Sequence, residues 1–282
     1  GNRSGRRVVT TSDAGGDFEM ECLSKGMGLV WEQCMGTGTS TLVSASTYQQ
    51  VFTLADTMPS ATWQKGIPRY DGTVDPYTFT GGMVDSFELE FGNGEIAKLK
   101  ATVDARDVTT ATAYATPSYS SAANLFHFAN GSLSTGTVTA PTTTTLASSV
   151  TSLGNVRSGN IKVAHNLGTS RYNYGAAGKK AKPATGRRDI TGTLTVEYDS
   201  ATFRDAVLNE TAMSLVLTFS AGVLGVGNET LQVVLSEIKL DGKLPTTNGG
   251  DEVTVDLEFT ALDNLTATQP MWVVTRTADT AL

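Results

Sequence analysis

The sequence is poor in charged residues, and this shortage excludes two classes of protein. Only 17% of its 282 residues are charged, whereas 39% are hydrophobic. This composition predicts a folded chain with a core, because disordered chains combine high charge with few apolar residues. The net charge of −7 leaves no excess of Lys and Arg with which to wrap nucleic acid.

Cysteine and histidine are scarce. Cys22 and Cys34 are too few for a disulfide scaffold and lack the spacing of a zinc site. We expect both to be small buried residues, the alternative being a redox or metal pair that meets across a strand and a helix. His127 and His165 lie in unrelated segments, away from any nucleophile motif. The sequence therefore predicts no catalytic residue, no cofactor and no metal site.

The sequence also lacks long apolar runs and long periodic helices. No stretch has the ~20 apolar residues of a membrane-spanning helix, and the start has no apolar signal core. We therefore expect a soluble protein of cytosolic origin that does not contact membranes. The 29 glycines, together with many Ser and Thr residues, favour short strands and turns, so the predicted fold class is mainly β.

The clearest pattern is a β-hairpin over residues 84–107. Apolar and polar side chains alternate along it, with Phe87, Leu89 and Phe91 on one face and Ser86, Glu88 and Glu90 on the other. Gly92, Asn93 and Gly94 form the predicted turn, with Gly94 left-handed. The pairs that this three-residue loop predicts are Phe91–Glu95, Leu89–Ala97, Phe87–Leu99 and Glu88–Lys98.

A second hairpin is predicted from residues 231–240 and 252–261, where Asp256 and Glu258 again make the polar face acidic. Residues 86–92 and 236–242 occupy corresponding places in the two hairpins. Strand, short helix, strand and hairpin thus occur in the same order twice, which predicts two tandem related β units.

The predicted organisation divides the chain into five parts. The boundaries are an N-terminal arm (1–16), a first β unit (17–108), a Thr/Ser-rich connecting region with a basic loop (109–187), a second β unit (188–266) and a C-terminal tail (267–282). Within these units we predict strands at 17–23, 47–54, 61–67, 188–198 and 213–219, a helix capped by Ser24 and ending at Gly36, a helix capped by Asp199 or Ser200, and a loop at 37–46.

Basic residues are concentrated in the arm and in the basic loop. The predicted contacts to another subunit or ring are Arg3, Arg6 and Arg7 in the arm and Lys179, Lys180 and Lys182 in the loop. Other interpretations are a loosely ordered terminus, a solvated loop and, least favoured in an acidic protein, a single-strand nucleic-acid patch.

Several motifs resemble the tail tube proteins of long, non-contractile phage tails. They are GDFEMECLSKGMGLVWEQCMG near the start, PSATWQKG followed by FTGGMVDSFELEF, NLFHFANGSL, GNIKVAHNLGTSRYNYG and GRRDITGTLTVEY. They cover most of the chain in family order.

The resemblance implies a tail-tube-type β-sandwich with short flanking helices, whose hairpins join a multi-subunit β-barrel. Rings of such subunits stack into a tube through which DNA passes without specific binding. Implied partners are further copies of the chain, the tape measure and the tail terminator, and the implied location is the virion, after assembly in the host cytoplasm. The expected lumen-facing residues are Glu88, Glu90, Asp256 and Glu258, because an acidic face repels DNA.

The sequence allows alternatives for the symmetry of the ring and for the function. Counting strands favours a trimeric ring with pseudo-sixfold symmetry over a true hexamer in which only one hairpin lines the barrel. A β-sandwich adhesin or carbohydrate-binding module is the alternative function.

Overall fold

The computed structural model describes residues 7–120, 122–199, 201–242, 245, 250 and 252–282, and it is mainly β as predicted. Its strands are β1 (Ala14–Glu21), β2 (Gly36–Ser44), β3 (Thr47–Leu54), β4 (Ala61–Pro68), β5 (Val74–Gly92), β6 (Lys98–Ala105), β7 (Asp107–Thr109), β8 (Gly131–Thr135), β9 (Thr151–Ser152), β10 (Val156–Ala164), β11 (Asp189–Glu197), β12 (Met213–Val223), β13 (Asn228–Gly242), β14 (Thr254–Leu262) and β15 (Met271–Thr277). Its helices are α1 (Gly28–Met35), α2 (Thr202–Leu208) and a 3₁₀ turn (Phe128–Asn130).

Seven strands form one antiparallel stretch in the order β1-β6-β5-β10-β11-β14-β13. We call it the first layer. Both predicted hairpins belong to it, since β5 pairs with β6 and β13 pairs with β14. β10 and β11 lie between the hairpins and join them into one continuous sheet.

The second layer begins on the N-terminal half of β13. There β12 pairs with one side of β13 and leads to β8, while β15 pairs with the other side and leads to β3 and β2. Apolar side chains of both layers meet in one core, which includes Phe87 and Leu257 from the first layer and Leu217 and Val273 from the second. The result is the predicted β-sandwich.

The register of the first hairpin differs from the prediction by two residues. Leu89 lies opposite Leu99, and Glu88 lies opposite Lys100. The predicted loop is too short because the backbone of Ala97 is used elsewhere: its N–H donates to the Phe126 carbonyl and its carbonyl accepts from the Cys22 N–H, both at 2.8 Å. Gly94 has the predicted left-handed conformation, with φ of 75°. The faces are unchanged, because a shift of two residues preserves the alternation.

The second hairpin has the predicted faces, with Leu257 and Phe259 buried and Asp256 and Glu258 exposed. However, residues 86–92 and 236–242 do not correspond one to one. Ile238 is buried in β13, whereas Glu88, its predicted counterpart in β5, points to the polar face.

Both helix predictions hold in their positions, but the cap predicted for the first helix is wrong. α1 begins at Gly28 without a side-chain cap, and it ends at Gly36 as predicted, with φ of 108°. Ser24 is not a cap, because it is buried and its Oγ accepts the Asn124 N–H at 2.9 Å. α2 begins at Thr202, after Ala201, which makes no side-chain cap. Ser200 lies outside the described residues, so the cap at Asp199 or Ser200 stays a prediction.

Three segments form strands that the sequence analysis placed otherwise. The predicted loop 37–46 contains β2, which pairs along β3. The connecting region contains β10, at the centre of the first layer, and the predicted C-terminal tail contains β15, between β13 and β3. β10 and β15 pair with strands that are distant in sequence, which no local pattern reveals. β2 pairs with its neighbour β3, but its glycines and serines weaken its strand signal.

Candidate functional site on the polar face of the first layer

One continuous polar face runs across the first layer. Residues directly opposite one another share a face of a sheet, and one such row is Glu19, Lys100, Glu88, Lys162, Thr191, Thr260 and Lys239. The neighbouring row is Glu21, Lys98, Glu90, Asn160, Thr193, Glu258 and Asp241. The structure thus brings Glu88, Glu90, Asp256 and Glu258 to the same face, with β10 and β11 between the two pairs.

Lysines interrupt the acidic character of this face. Carboxylates predominate, but Lys98, Lys100, Lys162 and Lys239 lie among them. The Lys100 ammonium is 2.6 Å from the Glu90 carboxylate, and this hydrogen bond raises the pKa of Lys100. The acidic residues are evident from the sequence pattern, but most of this interleaving is not, because the lysines belong to three different strands.

Polar neighbours also hold the acidic side chains in place. The Glu88 carboxylate accepts a hydrogen bond from the Asn160 side chain. Asp256 accepts one from the Thr195 hydroxyl at 2.8 Å. Fixed carboxylates on a sheet of threonines give a surface that is hydrated and negative, with little freedom to form new contacts.

The opposite face of the same strands is buried. Phe87, Leu89, Leu257 and Phe259 are at most 2% exposed, and the Phe87 ring contacts Trp31 of α1 edge-on at 6.4 Å. The apolar side is therefore used entirely within the subunit. Only the polar side is available to line a surface.

The basic loop is docked on its own chain. The Lys180 ammonium lies 2.5 Å from the Asp104 carboxylate and also contacts Asp13, and the lysine is only 5% exposed. Burial lowers the pKa of Lys180, but the hydrogen bonds to both carboxylates outweigh it and raise that pKa. Lys179 pairs with Asp107 and lowers the pKa of that carboxyl group.

The other predicted basic residues are placed differently. Lys182 and Arg7 are exposed, and the Lys182 backbone carbonyl accepts a hydrogen bond from Arg171 at 2.7 Å. Arg3 and Arg6 lie outside the described residues. A contact to another subunit stays a prediction for all six basic residues.

A buried histidine joins the end of β10 to α1 and to Arg188, the residue before β11. No local sequence pattern predicts this role. His165 is fully buried, its Nε2 donates to the Cys34 carbonyl at 2.8 Å, and its Nδ1 accepts from Arg188 Nε at 3.0 Å. Burial, together with the positive charge of Arg188, lowers the pKa of His165 to about 4. The neutral imidazole is thus part of the fold, with its proton on Nε2.

Cys22 and Cys34 are free thiols and fully buried, as predicted, and burial raises the pKa of Cys22 to about 12. Within the described ranges, no three His, Cys, Asp or Glu side chains are grouped so that they could hold a metal ion. Neither helix of the described chain is long and apolar enough to cross a membrane.

Tryptophans, which an adhesin or carbohydrate-binding module would expose together, are used in packing. Trp31 and Trp272 are buried, and the half-buried Trp63 packs against Phe18 with ring centroids 5.3 Å apart. No arrangement of these rings favours the alternative function.

The two layers and the polar face define a structural β-sandwich protein. A family model described as phage tail tube protein matches residues 1–261. The chain therefore belongs to the phage tail tube protein family and is a structural component of the phage tail, as the sequence motifs predicted. Membership of this family implies self-assembly into a tube together with other tail proteins. No curated protein matches the chain.

Proposed function

We propose that copies of the chain form rings that stack into a tube, with the polar face of the first layer lining the channel through which DNA passes. The observation that supports this most directly is that all four predicted acidic residues share one continuous face whose reverse side is buried. A surface that repels phosphate allows DNA to slide without binding.

Unpaired strand edges support closure into a ring. Among the described strands, β1 pairs with β6 alone. Within the part of the chain that the structure describes, the side of β13 that carries β12 has no partner beyond Ile238. Exposed edges favour aggregation of a free subunit, whereas pairing with the next copy satisfies their backbone groups.

The strand count supports the trimeric ring. Three chains with the seven strands of the first layer supply 21 strands. A barrel of 21 strands, spaced about 4.8 Å apart and tilted by about 45°, has a backbone diameter of about 45 Å, enough for a DNA duplex. Six chains would double that diameter, and a hexamer lined by one hairpin would have to divide the continuous first layer.

The remaining partners follow from the proposed role. A tube needs contacts to the tape measure protein inside it during assembly and to a terminator at its end, and assembly takes place in the host cytoplasm. No specific DNA site is required, because the lumen only has to be wide and repulsive.

The experiment combines electron microscopy of the purified protein with removal of charge. The variant Asp256→Asn with Glu258→Gln neutralises two carboxylates of the polar face, and Asp205→Asn with Glu210→Gln removes two exposed charges near α2 as a control. We expect wild-type chain and both variants to form tubes, and only the polar-face variant to retain more duplex DNA at low salt on co-sedimentation. A tube structure with the polar face on the outer wall would contradict the proposal.

A further inference from the structure

The same strand pairings occur in two parts of the chain. In the first part, β1 pairs with β6, β6 with β5, and β5 with both β4 and β7. In the second part, β11 pairs with β14, β14 with β13, and β13 with both β12 and β15. Every one of these pairings is antiparallel, and in each part the short helix follows the first strand.

The junction between the two parts is visible in full. β10 lies between β5 and β11, and residues 165–188, which lead into β11, cross the open end of the β5–β6 pairing, where Asp85 and Asp104 lie. The Leu167 N–H donates to Asp85 in β5 at 2.8 Å. Farther along, Lys180 reaches Asp104 in β6 and Lys179 reaches Asp107 in β7. A basic segment that precedes a first strand thus covers the end of the preceding hairpin.

The corresponding end of the second hairpin carries exposed apolar and acidic side chains. Leu262 and Leu265 are 37% and 89% exposed, although they are large apolar residues. Asp263 between them is exposed as well. This is the surface that a segment equivalent to residues 165–188 would cover.

The segment that precedes β1 has complementary properties. Val8 and Val9 are 80% and 76% exposed, and Arg7 beside them is exposed and basic. Ser12 and Asp13 are held by the basic loop of their own chain, so the free part of the segment is residues 7–9, which reaches about 10 Å when extended. Two strand spacings, the step from β1 of one copy past β13 to β14 of the adjoining copy, amount to about 10 Å.

We propose that residues 7–9 of one copy dock across the β13–β14 end of the adjoining copy, with Val8 and Val9 against Leu262 and Leu265 and Arg7 beside Asp263, while Ser12 and Asp13 keep their contacts to the basic loop of their own chain. The junction within a chain is then the template for the junction between chains. This inference rests on the proposed ring assembly and adds the surface and the segment that join its copies.

Cysteine cross-linking between two differently tagged chains tests this docking. One chain carries Val8→Cys and the other Leu265→Cys, so any disulfide between these positions joins two copies. The natural Cys22 and Cys34 are buried. Val223→Cys, at a residue that is 86% exposed in β12, replaces Leu265→Cys in the control mixture. We expect assembled particles to show several-fold more of the Val8–Leu265 heterodimer than of the Val8–Val223 heterodimer.

The outcomes separate this inference from the proposed function. Tubes in which the Val8–Leu265 pair cross-links no more than the control would overturn the docking and leave the tube function standing. A wild-type chain that forms neither rings nor tubes would overturn the proposed function and the docking with it. In a second test, Arg7→Glu and Asp263→Arg should each slow assembly several-fold, and their combination should restore it; a double variant as slow as either single variant would reject the contact between these residues.

Discussion

A glycine opposite a phenylalanine illustrates how closely the first layer is packed. Gly192 in β11 lies opposite Phe259 in β14, and a Cβ at Gly192 would be 2.3 Å from the Phe259 ring and 2.2 Å from the Asn160 carbonyl. We expect Gly192→Ala to destabilise the subunit by about 1–3 kcal/mol or more, because overpacking forces the ring and the strand apart. Chemical denaturation of the subunit measures this loss of stability. An unchanged free energy of unfolding would show that β11 can shift to make room for the methyl group.

Phe259 itself should contribute more. Phe259→Ala removes a ring that is 2% exposed and should cost about 3–5 kcal/mol in the free energy of unfolding. Leu257→Ala should cost about 2–5 kcal/mol for the same reason. In the double variant Gly192→Ala with Phe259→Ala, the effects should not add, because removing the ring relieves one of the two clashes. Strict additivity would contradict the contact.

The buried histidine predicts a dependence of stability on pH. His165 has a pKa of about 4 in the folded chain against 6.5 for the free side chain, so the unfolded chain binds a proton first as the pH falls. The contribution of His165 is fully present above about pH 6.5 and is lost towards pH 4, by about 2–3 kcal/mol at pH 4.5. Chemical denaturation at pH 7 and pH 4.5 measures how much free energy of unfolding is lost between the two, and His165→Gln should lose less than the wild type by that amount. Equal losses in variant and wild type would contradict the role assigned to His165.

For single residues, the sequence predicts burial where apolar and polar side chains alternate, and it predicts little else. The burial of Phe87, Leu89 and Leu257 follows from a period of two. The roles of His165 and Lys180 do not, because their partners are 131 and 76 residues away along the chain.

Among the elements, the two hairpins are predictable and their surroundings are not. The register prediction failed because Ala97 pairs with segments that no local pattern connects to it. β10 was missed because Ser158, Gly159 and Asn160 weaken its strand signal, although it is the strand that joins the hairpins. The candidate site was predicted as two separate acidic faces, and its continuity depends on β10.

The N-terminal arm gives a prediction for an element. β1 begins at Ala14, and Ser12 and Asp13 contact Gly178 and Lys180, so a deletion through Gly16 would remove part of the sheet. Deleting residues 1–11 should instead leave a folded subunit that polymerises poorly. Circular dichroism checks that the subunit is folded, and electron microscopy checks how well it polymerises, with the full-length chain as the control. Tubes that form as readily without the arm would refute its role in assembly.

For the whole molecule the prediction is the symmetry of the ring. Three chains should form one ring, and its end-on image should show strict threefold symmetry with six similar densities. Native mass spectrometry of a ring blocked in stacking gives the same number independently. Six identical chains per ring would reject the trimer and favour the hexamer lined by one hairpin.

The position of β15 has a consequence for the order of folding. β3 near the start of the chain pairs with β15 near its end, Phe52 lying opposite Val273, and β15 also holds β13. Contacts this far apart in sequence form slowly. During synthesis from the N-terminus, the second layer stays incomplete until the last strand has left the ribosome. We therefore expect nascent or truncated chains that end before Met271 to lack a stable sandwich, which delays polymerisation until β15 of each subunit has been translated.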